Sequence, residues 1–85
     1  MDIEFAMLAR YKKLFVPLED VCEEYFRIGP KKAKQMVAAG DFPIPVTRTR
    51  SSQKSPYLIN VADLALYLKE QYERSCAEFQ RMRNV

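Results

Sequence analysis

The sequence has no histidine, no tryptophan, two cysteines and two glycines, and each scarcity removes a class of function. Histidine is the usual general base and a common zinc ligand. Without it, and with Cys22 and Cys76 far apart in sequence, neither a metal site nor a cysteine–histidine pair is expected. Both thiols read as reduced side chains on packed helices. Two glycines make no phosphate-cradling loop, and the clustered acids Glu19, Asp20, Glu23 and Glu24 read as a solvated helix face. The chain is therefore not expected to be an enzyme, and no cofactor is expected. Apolar runs end after a few residues, far short of the roughly 20 that cross a bilayer, and acids stand near the start where a signal peptide would be basic. The expectation is a cytoplasmic protein with no membrane partner and no small-molecule ligand.

What is present supports one folded unit. Eighty-five residues suffice for a single small core, so residues 1–85 are expected to form one domain. A hydrophobic content of 48% against 29% charged residues is that of a chain that folds. The net charge of +3 is weak as a sign of nucleic acid, but its distribution is uneven. Residues 27–56 hold seven basic groups against the single acid Asp41, a net +6, which leaves −3 for the rest of the chain. Such segregation concentrates positive potential on one surface and attracts phosphate.

The hydrophobic pattern predicts helix, helix, helix, hairpin, long helix. Asp2 can cap a first helix over about Ile3 to Lys13. Residues 14–17 are short and end in proline, which suggests a connector. A second helix over about Leu18 to Arg27 places Leu18, Val21, Cys22, Tyr25 and Phe26 on one stripe, with its acids turned outward. Gly29 and Pro30 break that pattern and open a third helix, which runs to about Ala39 and stops at Gly40. Its buried side is Ala33, Met36 and Val37, and its outer side is Lys31, Lys34, Gln35 and Ala38. Two helices joined by a tight glycine-containing turn form a helix-turn-helix. Two prolines and a β-branched run over 42–49 fit an edge strand, the polar residues 50–56 a turn, and Tyr57, Leu58 and Ile59 a returning strand, so this hairpin reads as a wing.

Asn60 should cap a final helix over about residues 61–83, with Asp63 at its third position. At 1.5 Å per residue that helix is roughly 35 Å long, more than so small a core can cover. The surplus, with Tyr72, Cys76, Phe79 and Met82 in line, is expected to serve as homodimer contacts or to pack on the first helix. Tyr11, Tyr25, Phe26, Tyr67, Tyr72 and Phe79 follow helical stripes and are expected to pack in a core rather than stack on bases. The fold class is thus mainly α with a small β-hairpin: a winged helix-turn-helix, excisionase-like, with an extended C-terminal helix.

A major groove admits one α-helix, and side chains on its outer face reach base edges. Lys31, Lys34 and Gln35 occupy that face. Gln35 can donate to and accept from adenine, the lysines can meet guanine acceptors or phosphate, and Lys32 on the flank suits the backbone. On the wing, Arg48, Arg50, Ser52, Gln53 and Lys54 suit phosphate oxygens or a narrow minor groove. Double-stranded DNA is the expected partner.

The stretches LARY (8–11), VPLEDVCEEYF (16–26), AAGDFPIPVTR (38–48), SQKSPYL (52–58) and VADLALYL (61–68) together resemble the pyocin activator protein PrtN family. The resemblance implies a transcriptional activator that binds DNA upstream of bacteriocin or prophage genes, with Ser52, Gln53 and Lys54 as the counterpart of the family's Ser-Gln-Lys segment. RNA polymerase is then a candidate second partner. Two other readings fit the residues. An excisionase-like architectural protein would bend DNA, and a protein-interaction module would bind a repressor or polymerase through the acidic second helix.

Overall fold

The computed structural model describes residues 2–48 and 57–83. Helices α1 (Ile3–Tyr11), α2 (Leu18–Phe26), α3 (Pro30–Ala38) and α4 (Val61–Arg83) surround a sheet of three short strands, β1 (Phe15–Pro17), β2 (Thr47–Arg48) and β3 (Tyr57–Asn60). The chain is mainly helical, with a small antiparallel sheet in the order β1-β3-β2.

Each helix ends where its sequence supplies a stop. The Asp2 carboxylate accepts a hydrogen bond from the Phe5 amide at 3.2 Å and caps α1. That helix ends two residues before Lys13, because Lys12 turns left-handed (φ 56°) and its N–H bonds to the Leu8 carbonyl at 2.7 Å. Helix α2 likewise ends at Phe26, with Arg27 left-handed at φ 58°. The left-handed residue of this turn is thus Arg27, whereas Gly29 has an ordinary φ of −71° and serves as the N-cap of α3. Asn60 caps α4 as expected, its Oδ1 accepting from the amides of Ala62 (2.8 Å) and Asp63 (3.2 Å).

The expected hairpin is present as β2 and β3, with Thr47 opposite Leu58 and Arg48 opposite Tyr57. Two features correct the sequence reading. Residues 15–17 form a third strand rather than a plain connector: Val16 pairs with Ile59 in the middle of β3, and the Val61 amide donates to the Leu14 carbonyl at 2.8 Å. Strand β2 is also shorter than the expected run over 42–49. Pro43 and Pro45 have no N–H to offer a ladder, and Ile44 between them is instead buried in the core.

The core is built from every helix and from two strands. Val16, Leu18, Val21, Cys22, Ala33, Ile59, Val61, Leu64 and Ala65 are almost wholly enclosed, and Met7 and Ile44 close its edges. Burying each large side chain here contributes about 1.5–3 kcal/mol. Phe26 ties three segments together, with ring centroids 4.9 Å from Phe42 and 5.2 Å from Tyr67. Tyr11, Tyr25, Phe26 and Tyr67 pack against this core as expected. Tyr72 and Phe79 do not: they are 65% and 60% exposed. The core side of α4 is used up by Leu68; past it Tyr72, Phe79 and Met82 of the stripe are exposed and Cys76 is half-buried. Among the described residues, no helix is long and apolar enough to cross a membrane.

Candidate nucleic-acid interface

Helix α3 carries the first part of the candidate surface. Pro30 at its first position has no N–H to leave unpaired, and Gly40 (φ 76°) ends it, with Gly40 N–H donating to the Val37 carbonyl (3.1 Å) and Asp41 N–H to that of Met36 (2.8 Å). Ala33 is fully buried and Met36 and Val37 are half-buried, which fixes how the helix is rotated. Lys31, Lys32, Lys34 and Gln35 are all exposed. Three cations and one amide therefore share a helix surface whose other side is locked by packing.

Lys34 is engaged in the free protein, since its Nζ lies 3.0 Å from Oε1 of Glu19 on α2. Sequence reasoning had turned Glu19 toward solvent; nothing local in the sequence signals a pair between residues so far apart. The α2–α3 turn adds Arg27, exposed and held in its left-handed conformation, a cation that the helical pattern does not single out.

Strand β2 carries the second part. Thr47 and Arg48 are both exposed, and the Arg48 guanidinium lies 5.1 Å from the centre of the Tyr57 ring on β3. A cation resting on an aromatic face is held without losing its charge. Arg50, Ser52, Gln53 and Lys54 lie outside the described residues.

A polar cluster ties α1 to α2. The Arg10 guanidinium makes a bidentate contact with the Glu24 carboxylate, with one bond of 2.7 Å, and also donates to the Tyr25 hydroxyl at 2.5 Å. Tyr11 adds a longer contact to the same hydroxyl at 3.4 Å. Hydrogen bonding from Arg10 holds the Glu24 carboxyl below the usual carboxylate range. Burial, then hydrogen bonds with Tyr11 and Glu24, push the Tyr25 phenol above its ordinary value. The cluster is a brace, and α2 in turn positions α3. Among the described residues no group of His, Cys, Asp or Glu side chains could hold a metal ion.

The model of the family described as pyocin activator protein PrtN matches residues 4–75 of the chain. The chain belongs to that family. The family's description names an activator, and the matched span takes in α1, the sheet, α2, α3 and α4 as far as Ser75. Searches of the curated proteins and of the solved structures find no match.

Proposed function

We propose that this PrtN-family chain is a sequence-specific, DNA-binding transcriptional activator of pyocin-like or prophage genes, working in the cytoplasm as a single winged helix-turn-helix domain and without enzymatic activity. In this reading α2 and α3 are the helix-turn-helix, α3 enters the major groove, and the β2–β3 hairpin is the wing. The observation that carries the proposal is the surface of α3: Lys31, Lys32, Lys34 and Gln35 exposed together, followed in the chain by a strand, β2, that carries the exposed Arg48, in a chain whose family is an activator family.

The chemistry divides by residue type. Gln35 presents an amide able to make a bidentate contact with adenine, and Lys31 and Lys34 meet guanine acceptors or phosphates. Lys32, Arg48, Arg50 and Lys54 neutralise backbone charge, while Ser52 and Gln53 hydrogen-bond phosphate oxygens. Activation follows if the bound protein also touches RNA polymerase.

The test is titration against promoter fragments of neighbouring pyocin-like or prophage genes and against random duplex, at several salt concentrations. Specific binding of the usual kind exceeds non-specific binding by about 10³-fold or more. Lys34→Ala/Gln35→Ala should abolish that preference. Equal binding to promoter and random duplex refutes sequence-specific regulation, and no binding at physiological salt favours a protein-interaction role.

A further inference from the structure

Arg27 ends α2 in the left-handed region at φ 58°, where a Cβ is unfavourable and glycine or asparagine is the usual residue. A glycine stands two positions on, at Gly29, where φ is an ordinary −71° and nothing lies within 4 Å of an added Cβ. The turn thus has an arginine where glycine would suit the backbone and a glycine where the backbone does not require one. We propose that Arg27 is a phosphate contact, its guanidinium binding the DNA backbone beside the start of α3. This rests on the DNA-binding reading above and adds to it a residue that lies on neither the recognition helix nor the hairpin.

The backbone at Arg27 is fixed from both sides. Phe26 and Ile28 pack against the core, and the N–H groups of Arg27 and Ile28 both turn back to the Cys22 carbonyl, the second at 3.3 Å. Between these anchored neighbours the Arg27 side chain is exposed. Glu23, four residues earlier, would be its ion-pair partner on a continuing helix. The left-handed turn takes Arg27 out of that geometry, and among the described residues it has no salt bridge.

The surrounding charge is of one sign. Along the chain Arg27 is followed by Lys31, Lys32 and Lys34 before the first acid, Asp41, and the first turn of α3 holds no acid. Four residues of chain place the Cα atoms of Arg27 and Lys31 within about 14 Å of each other. Of these four cations only Lys34 is paired among the described residues. An anion is what the group lacks, and a phosphate backbone supplies a row of them.

A cation at the end of α2 also meets the negative end of the helix dipole, and α2 has no base in its last turn. That interaction does not account for the position. A base at 23 or 24 would meet the same dipole in an ordinary helical conformation, whereas position 27 puts the charge on the turn that leads into α3.

One phosphate contact adds a slope of about 0.9 to the plot of log affinity against log salt. Referred to 1 M salt, that is about fivefold in affinity at 0.15 M and about fifteenfold at 0.05 M. The experiment is a salt titration of the full chain against a promoter duplex and a random duplex, with thermal circular dichroism of the same variants. Arg27→Gly should flatten the slope by about 0.9 and lose affinity equally on both duplexes, since a phosphate carries no base identity. Its Tm should stay level or rise by up to about 5 °C, because the left-handed residue becomes glycine. Arg27→Lys should keep the slope, and a lysine variant that loses it as fully as glycine overturns the proposal. Unchanged slope and affinity in Arg27→Gly, with Lys34→Ala still losing affinity, overturns it while DNA binding by α3 stands. A loss confined to the promoter duplex overturns it as well, because that marks a base contact. A Tm lowered by more than about 5 °C assigns Arg27 to the fold instead. No binding of the unaltered chain to either duplex removes the DNA-binding reading itself.

Discussion

Replacing Glu19 with glutamine should tighten DNA binding, although Glu19 is not itself placed on the DNA. Its carboxylate lies 3.0 Å from the Lys34 ammonium, with the two side chains 57% and 50% exposed. At that distance unit charges attract by about 1.4 kcal/mol in a water-like dielectric. Side-chain ordering and counterions reduce the worth of an exposed pair to about 0.2–1 kcal/mol. Lys34 must give up this pair to serve a phosphate or a guanine, so removing its partner should raise affinity by about 1.4- to 5-fold. The gain should shrink as salt shortens the screening length to about 8 Å and below. The assay is fluorescence anisotropy on a labelled promoter duplex over a salt series, with Glu19→Gln, Lys34→Ala and the double variant completing a cycle. Lys34→Ala should also flatten the plot of log affinity against log salt by about one unit. If Glu19→Gln gives the same gain with and without Lys34, the ion pair is not what restrains affinity. If Lys34→Ala leaves both affinity and slope unchanged, Lys34 is not at the DNA.

Three further outcomes follow from the fold. Leu64 is wholly enclosed, so Leu64→Ala should cost about 2–5 kcal/mol and lower Tm by about 4–8 °C for each of them, read by thermal circular dichroism; a shift under a few degrees would contradict its place in the core. Gly40→Ala should cost about 1–2 kcal/mol because φ is 76° there, whereas Gly29→Ser, with nothing within 4 Å of an added Cβ, should be neutral or add a few tenths of a kcal/mol by capping α3. Arg10 depresses the Glu24 pKa below its ordinary 4.5, so the stability this pair contributes is complete above pH 4.5 and is lost as pH falls through the depressed value. The Tm difference between wild type and Glu24→Gln should accordingly be constant near neutrality and vanish in acid, and a difference that persists in strong acid would show that the pair's charge is not its source.

The helices were legible because each signal was local. Asp2, Asn60, the Gly29-Pro30 break and Gly40 stand where caps and stops occur, and α4 has the expected 23-residue span from Val61 to Arg83. The illegible parts depend on distant partners. Phe15–Pro17 is too short to show alternation and is a strand only because β3 has an edge free to pair with it. The left-handed residues Lys12 and Arg27 are not glycines, so composition gave no hint of them. Periodicity likewise showed that Tyr72, Phe79 and Met82 share a face of α4, but not that the core ends before it reaches them. The exposed face of α3 was readable from spacing, while the Glu19–Lys34 and Arg10–Glu24 pairs, each joining two helices, were not.

The residues assigned to DNA and those that hold the fold are nearly disjoint, and this shapes how variants should behave. Helix α3 gives the core one fully buried side chain, Ala33, with Met36 and Val37 half-covered. Its cations stand clear of all three. Losing one of them removes a contact without leaving a cavity, so such variants should lose affinity while keeping their melting temperature. The opposite holds for α2. Leu18, Val21 and Cys22 are buried there, and Glu24 and Tyr25 join the Arg10 brace. Damage to α2 therefore displaces α3 as well as weakening the core, and the same charge change has different consequences on the two helices.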